Sequence, residues 1–421
     1  MPRTNWAGNV TFGAERVLRP DSVARLRQQV ADNPKVRAVG AGHSFSPVAD
    51  TTGALISLDD LPVTVRIDPE RQTVTATAAI RYGTLAARLD AAGYALPNLA
   101  SLPHISVIGA CATGTHGSGD ANRALATAVT AMDLVTADGE LATINRDTHP
   151  DFPGMVTALG ALGIVTSVTL DLVPAYTVRQ WVYEDLPHRR LETDFAEIFA
   201  SAYSVSVFTD WRPSHAVRVW RKQTTDAAPP QRWLDGRLSS TQLNPVPGMD
   251  PANTTAQLGV PGPWHERLPH FTAEGTPSSG DELQSEYLVP REHATEALAA
   301  LAPIADRIAT ALQISEIRTI AGDDLWLSPC YQRDSAAIHF TWRKDPANVL
   351  PVLEAIEERL APFAARPHWG KVFVTSPAEL YPRLPDFEQL RARFDPAGKF
   401  RNDPKLLRTL TLPKRGGNCP Q

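Results

Sequence analysis

Ala38-Val39-Gly40-Ala41-Gly42-His43-Ser44-Phe45-Ser46-Pro47 is the stretch around which the rest of the chain is organised. It follows a short apolar run, Val36 to Val39, that reads as a strand. The strand breaks into two glycines and ends at a histidine followed by hydroxyls. Glycines at such a turn let backbone N–H groups approach an anion that any Cβ would hold off. The loop is therefore a candidate phosphate cradle. It is not the dinucleotide fingerprint of a Rossmann unit, which needs a third glycine and a helix opening directly from the loop. Phe45 stands where that glycine belongs, and Pro47, Gly53 and two threonines follow without a helical apolar period.

Bulk properties narrow the class. A chain of 421 residues has room for two or three domains and an ample core. Hydrophobic residues at 43% and charged residues at 21% fit a globular protein, and a net charge of −5 points to neither nucleic acid nor a membrane surface as partner. Cys111, Cys330 and Cys419 lack metal or redox spacing. No run approaches the length of a membrane span and Met1 to Gly8 lacks a signal-peptide core, so the cytoplasm is the expected compartment. With no heptads and no long apolar stripe, a monomer is expected.

The elements expected along the chain start with a helix after Arg19-Pro20-Asp21-Ser22 that packs Val23, Leu26 and Val30 on one face. Strands over Val63–Asp68 and Thr73–Ala78 pair across a polar turn, and a helix over Thr84–Ala92 stops at Gly93. Leu96 to Gly119 is rich in small residues and hydroxyls and shows no regular element; such backbone belongs close to something bulky. Met132–Val135 and Leu141–Ile144 form a hairpin over Asp138-Gly139. After about Val173 aromatics cluster, a Pro-rich segment from Pro245 to Pro269 covers something, and helices run over Arg291–Ile308 and Val349–Phe363. Phe394 to Asn402 reads as a compact turn and Lys414 to Gln421 as a disordered tail.

Three strands of the second half carry polar residues on one face. Alternation puts Glu316 and Arg318 together, opposite Ile317, and puts His339 and Thr341 together, opposite Ile338, Phe340 and Trp342. Trp369 to Val374 reads as an apolar strand with one lysine, Lys371. Taken singly, each is a solvent-facing side of an antiparallel sheet, with Glu316 and Arg318 a surface ion pair. Taken together, with helices between them to cover one sheet face, they line a cavity holding an acid, two cations, an imidazole and a hydroxyl. That set suits a small polyhydroxylated or anionic substrate and can stabilise an alkoxide.

These residues also carry a family resemblance. Gly40-Ala-Gly42-His43-Ser44, Ala100-Ser101-Leu-Pro-His104-Ile-Ser106, Ala112-Thr-Gly-Thr-His116-Gly and Leu162-Gly-Ile-Val-Thr resemble the FAD-binding domain of the vanillyl-alcohol-oxidase superfamily. Ser315-Glu316-Ile-Arg318-Thr, His339-Phe-Thr341-Trp and Arg366-Pro-His-Trp-Gly-Lys371 resemble its aldonolactone and alditol oxidase branch. The resemblance runs over essentially the whole chain. It implies an α+β, two-domain fold: an FAD-binding domain over residues 1–175, an antiparallel-sheet cap over 176–379, and a C-terminal segment, 380–421, completing the FAD domain. It implies FAD bound covalently through His43, with Ala38, Val39, Gly40, Ala41, Gly42 and Ser44 at the pyrophosphate. Ser101, Ser106, Gly109, Thr113, Gly114, Thr115 and His116 would line the flavin, and Val165 would meet the adenine end through its backbone.

Substrate contacts carry over to Ser101, Glu316, Arg318, Thr341 and Lys371, with His339 beside them; Lys371, Arg318 and His339 are the catalytic candidates. The implied reaction oxidises the terminal alcohol of an alditol by hydride transfer to flavin N5, with molecular oxygen as acceptor and hydrogen peroxide as product. Ala100 stands where the family sets oxygen access. Lactone substrates with a non-oxygen acceptor are the alternative. A carbohydrate-binding protein on a relic nucleotide fold is a third reading, and a metal site from His43, His104 and His116 the weakest, for want of an acidic or thiol partner at ligand spacing.

Overall fold

The computed structural model describes residues 4–275 and 281–402. The glycine loop leaves a three-stranded parallel sheet in which Ala54–Ser57 lies between Arg16–Leu18 and Val36–Val39. The helix Val23–Asp32 covers it, capped by Ser22, whose hydroxyl accepts from the Arg25 N–H. Leu26 and Val30 are buried, but Val23 is 37% exposed. Val23 is the first helical residue and projects from the turn before the helix meets the sheet, so the apolar face expected from three residues is carried by two.

A five-stranded antiparallel sheet follows, in the order Val65–Asp68, Thr73–Thr77, Ile164–Asp171, Val129–Val135, Leu141–Asn145. The Asp138-Gly139 turn closes its last hairpin with Gly139 at φ +85°, a conformation glycine adopts without strain. Between the sheets, the stretch expected to be irregular contains a short helix, Val107–Ala112, whose Val107, Ala110 and Cys111 are buried. Six residues are too few to show a period in sequence, and small side chains let the helix sit deep.

The second half builds a ten-stranded sheet. Its path runs from Arg232–Trp233 and Gly236–Leu238 through Thr177–Pro187, Ala216–Gln223, Ser204–Thr209, Leu312–Ile320, Ser335–Arg343 and Glu282–Pro290 to Arg366–Pro367. Gly262–Pro263 pairs with Thr177–Pro187 off that path. Helices Ala294–Leu301, Ala305–Ala311 and Pro346–Leu360 pack on one face of this sheet. The helix expected over 291–308 is broken at Ala302–Ile304, because Pro303 cannot donate to the helical ladder and its ring crowds the preceding turn.

One detail corrects the sequence reading and a second bears it out. Residues 369–374 are not a strand: after Arg366–Pro367 the chain turns, with Lys371 N–H donating to the His368 carbonyl at 3.0 Å and Gly370 N–H to His368 Nδ1 at 3.0 Å. The ladder to Glu282–Pro290 is recovered at Val372, whose N–H donates to the Gln284 carbonyl at 2.8 Å. Second, the 245–269 segment does cover something, since Pro245, Val246 and Met249 line the cavity described below.

The C-terminal helix Leu384–Phe394 leads into the compact turn. There the Asp395 carboxylate accepts from Lys399 N–H (2.6 Å) and Phe400 N–H (2.8 Å). Val36 N–H donates to the Lys399 carbonyl at 3.0 Å, and Phe400, fully buried, packs with Leu26, Val30 and Ile56. The segment is thus tied to the strand that feeds the glycine loop. Lys414 to Gln421 and Cys419 lie outside the described residues, and Cys111 and Cys330 are buried free thiols. Among the described residues no helix is long and apolar enough to cross a membrane.

Candidate active site

One cavity of about 350 Å³ joins the parallel sheet, the Gly-rich loops and the polar face of the large sheet. At one end it runs along Ala38 to Ser46, past Ser106, Gly109 and Thr113, to Val165. The glycines are required by close approach. A Cβ on Gly40 would lie 2.4 Å from Ser106 Oγ, and one on Gly109 would lie 2.6 Å from the same oxygen. Gly42 has φ +72°, and its carbonyl accepts from Trp6 N–H at 2.8 Å, which pins the loop.

His43 lines the cavity with its ring stacked on Trp6, centroids 5.0 Å apart and planes 14° from parallel. Both ring nitrogens are buried without a hydrogen-bond partner. Burial lowers its pKa to about 4, against the nearby polar backbone of Ala41, which favours the cation, so the imidazole is neutral. A buried imidazole beside a cavity with no partner in the chain calls for an explanation, and a group bound in that cavity supplies one.

Beneath the loop, Arg37 is an arginine inside a buried strand. Its guanidinium donates to the carbonyls of Val48, Leu159 (2.6 Å), Gly160 (3.2 Å) and Phe400 (2.6 Å), tying four segments together. Burial brings its pKa down to about 10, opposed by Asp395 and Asp50. It is a cation at the cavity wall that no motif announced, although an arginine between Val36 and Ala38 in an apolar strand was visible.

At the other end lie Ser101, His116, Glu316, Arg318, His339, Thr341 and Lys371. Register explains the grouping: Glu316 stands opposite His339 on the neighbouring strand, and Glu286 stands opposite His339 on its other side. Arg318 is therefore flanked by two carboxylates. Its guanidinium donates to Glu286 Oε1, its Nε lies 3.7 Å from Glu316 Oε1, and Nη1 reaches Ser101 Oγ at 3.4 Å. Glu316 and Arg318 are both buried, which removes the surface ion-pair reading. Burial alone would raise the pKa of each acid, but Arg318 and the neighbouring histidines hold both well below the usual range. Arg318 is raised on balance by the two carboxylates.

His116 Nε2 and His339 Nδ1 lie 3.5 and 3.7 Å from Glu286 oxygens, beyond hydrogen-bond length but within strong electrostatic reach. Burial keeps His116 neutral with a pKa of about 4 and lowers His339 as well. His339 Nε2 meets Thr341 Oγ1 at 3.2 Å. The turn at 369–374 brings Lys371 to the same face, where its ammonium donates to Gln284 Oε1 and lies 5.2 Å from the Phe45 ring centre. Lys371 is half-buried at the cavity wall, and desolvation lowers its pKa despite Glu286.

Of the residues expected at the cofactor, Gly114 alone does not line the cavity. Its φ of +69° serves a turn, and a Cβ there would strike Pro329 at 2.8 Å. His104, offered as a metal ligand, is also absent from the lining and meets the Ala273 carbonyl through Nε2 at 3.0 Å. The sequence reading missed Glu286, Gln284, His270 and His368, all at the cavity. The alternation of Glu282, Gln284 and Glu286 against Leu283 and Tyr287 was a signal for the first two; His270, in a loop, had none.

The Gly-lined cradle, the orphaned imidazole and the basic wall fit a dinucleotide such as FAD. Residues 14–145 match the FAD binding domain family, and residues 281–409 match the D-arabinono-1,4-lactone oxidase family. Among solved structures, cholesterol oxidase from B. sterolicum superposes with a TM-score of 0.75 at 16% identity, covering 96% of both chains. Xylooligosaccharide oxidase from Myceliophthora thermophila gives 0.75 at 15% identity, covering 97% of this chain and 94% of that one. The fold is therefore that of an FAD-dependent oxidoreductase with an antiparallel-sheet cap. L-gulonolactone oxidase of Mus musculus is 28% identical over 94% of this chain and 96% of its own length. Alditol oxidase of a Streptomyces strain is 52% identical over 95% of this chain and 97% of its own. The chain belongs to the alditol oxidase family of the vanillyl-alcohol-oxidase flavoproteins.

Proposed function

We propose that the protein oxidises the terminal primary alcohol of alditols such as xylitol or sorbitol to the aldose, using FAD. One observation carries the reading: a single cavity leads from the Gly40–His43 cradle to a charged face with buried Arg318 and Glu316 and half-buried Lys371. We assign an FAD unit to residues 1–175 and 380–421 and a cap to 176–379; the three- and five-stranded sheets falling in the first and the ten-stranded sheet in the second support this division.

FAD supplies the hydride acceptor, and the chain supplies everything else. An alcohol is a weak acid, so the site must stabilise the alkoxide as its proton leaves. Arg318 does so by charge, and Lys371, with its pKa lowered by desolvation, can take the proton. Ser101, Glu316 and Thr341 hold the neighbouring hydroxyls, which favours polyols over simple alcohols. His339, neutral and beside Thr341, orients that hydroxyl. The unpaired nitrogen of His43 is the proposed covalent tether for the flavin. Oxygen, reaching the flavin past the small Ala100, is the proposed acceptor and hydrogen peroxide the product. We assign the working form as a cytoplasmic monomer.

The test mixes the purified protein aerobically with a panel of alditols and lactones and follows flavin bleaching and peroxide together. Rapid bleaching with alditols and stoichiometric peroxide is expected. Bleaching by lactones alone, or without peroxide, would replace the reading with a lactone dehydrogenase.

A further inference from the structure

A buried lysine stands behind the hydroxyl-binding face and does not touch the cavity. Lys222, in the strand Ala216–Gln223, is 1% exposed. Its Nζ lies 2.5 Å from the Leu268 carbonyl, 3.0 Å from the Pro269 carbonyl and 3.1 Å from His270 Nδ1. An ammonium has three protons and no acceptor, so these contacts use every donor it has and make Nδ1 the acceptor. The His270 ring proton is thereby placed on Nε2, which donates to Glu316 Oε1 at 2.8 Å. Burial, opposed by the Glu316 charge, sets the lysine pKa at about 7, so the ammonium prevails in slightly acidic solution.

The imidazole has no freedom to turn away. The rings of Phe208 and Trp220 meet it edge-on, with centroids at 5.5 and 5.3 Å. The His270 backbone reaches the other hydroxyl-gripping residue, since its N–H donates to the Ser101 carbonyl at 3.1 Å. His270 thus holds Ser101 with its backbone and Glu316 with its ring, and Lys222 holds the loop that carries it.

We propose that Lys222 and His270 are positioning residues that keep Ser101 and Glu316 in one register, so that the site selects alcohols with hydroxyls on adjacent carbons. The inference rests on the alditol oxidase reading. With Oε1 of Glu316 engaged by His270 Nε2, the second carboxylate oxygen is left to accept from substrate. The ionised acid is kept facing the cavity by a donor that cannot rotate. Ser101 and Glu316 come from chain segments more than two hundred residues apart, and His270 joins Arg318, which reaches both side chains, in fixing their spacing.

The test is a double-mutant cycle in slightly acidic buffer on the holoenzyme, with KM and kcat for an alditol as readouts. His270→Phe keeps the ring among its aromatic neighbours but removes both nitrogens, and Glu316→Leu removes the acceptor. His270→Phe is expected to lower kcat/KM at least about tenfold, mostly through KM, the scale of a lost hydrogen bond to a charged group. Added to Glu316→Leu, it should cost nothing further, and His270→Gln, which can both accept and donate, should recover most of the loss. Losses that multiply in the double variant, or a His270→Gln enzyme as impaired as His270→Phe, would overturn the proposal. If His270→Phe does not accumulate as folded flavoprotein, Lys222→Met takes its place: the same KM effect, silent on the Glu316→Leu background, is expected, and an unchanged KM or a multiplicative loss refutes it. A wild-type enzyme inert toward every alditol strikes down the functional reading itself, an outcome distinct from alditol turnover with independent losses.

Discussion

The two ends of the cavity are built on opposite principles. At the Gly40–His43 loop the chain offers backbone: Gly40 has no side chain because Ser106 Oγ would meet its Cβ, and Gly42 turns at φ +72°. At the far end it offers side chains almost exclusively, with Arg318 set between Glu286 and Glu316 and ringed by neutral histidines. The first end recognises a phosphate-bearing group by shape and dipoles and tolerates no added volume. The second recognises hydroxyls by charge and tolerates no loss of a partner. A substitution therefore does harm at the loop by adding atoms and at the sheet by removing charge.

The largest effect that would sharpen this contrast is at Lys371. Lys371→Met should slow flavin reduction by alditol about 10²–10⁴-fold, the range for loss of a general base, in stopped-flow bleaching. Unimpaired reduction would remove Lys371 from the chemistry. At Glu286, replacement by alanine leaves Arg318 with one carboxylate instead of two inside a buried sheet. A loss of about 3 kcal/mol of stability is expected from thermal or denaturant unfolding, together with weakened alditol binding.

Acid should attack the charged end first. His116 and His270 have folded pKa values near 4, below the ordinary histidine value of 6.5, and burial lowers His368 well below that value too. Each binds its proton more readily when unfolded, so stability is full above pH 6.5 and falls as the pH drops from 6.5 towards 4. Each pH unit in that window costs up to about 1.4 kcal/mol per histidine. The melting temperature should decline steeply across that range; a flat profile would mean these rings are not buried as neutral species.

The smallest expected effect is at the loop. Gly40→Ala places a methyl 2.4 Å from Ser106 Oγ and should cost about 1–3 kcal/mol of strain, read as reduced FAD content at unchanged fold. Ser106→Ala should restore part of that content, because the oxygen is the atom struck. No rescue would mean that the glycine serves the cofactor directly rather than making room for the serine.

These contrasts also separate what could be read early from what could not. The glycine loop was legible because its constraint is local: a strand, a turn and a close approach leave their mark within ten residues. Alternation revealed Glu316, Arg318, His339 and Thr341 as pairs for the same reason, since a strand's faces follow from neighbours two apart. The apolar neighbours of Lys371 read as a strand, yet it stands on a turn in which its own N–H donates to the His368 carbonyl. Glu286 escaped notice although its alternation was present, and Lys222 and His270 gave no sign, since their importance lies in partners dozens of residues away.

By itself, the order of residues determined the cofactor loop, the paired faces of the strands bearing Glu316 and His339, and the family resemblance, all legible in short-range sterics and period. Tertiary structure alone decided that two carboxylates should flank one arginine and that a lysine and a histidine should stand behind them. Inter-strand register and the burial that strips water from charges are set by long-range packing, and no local pattern encodes them.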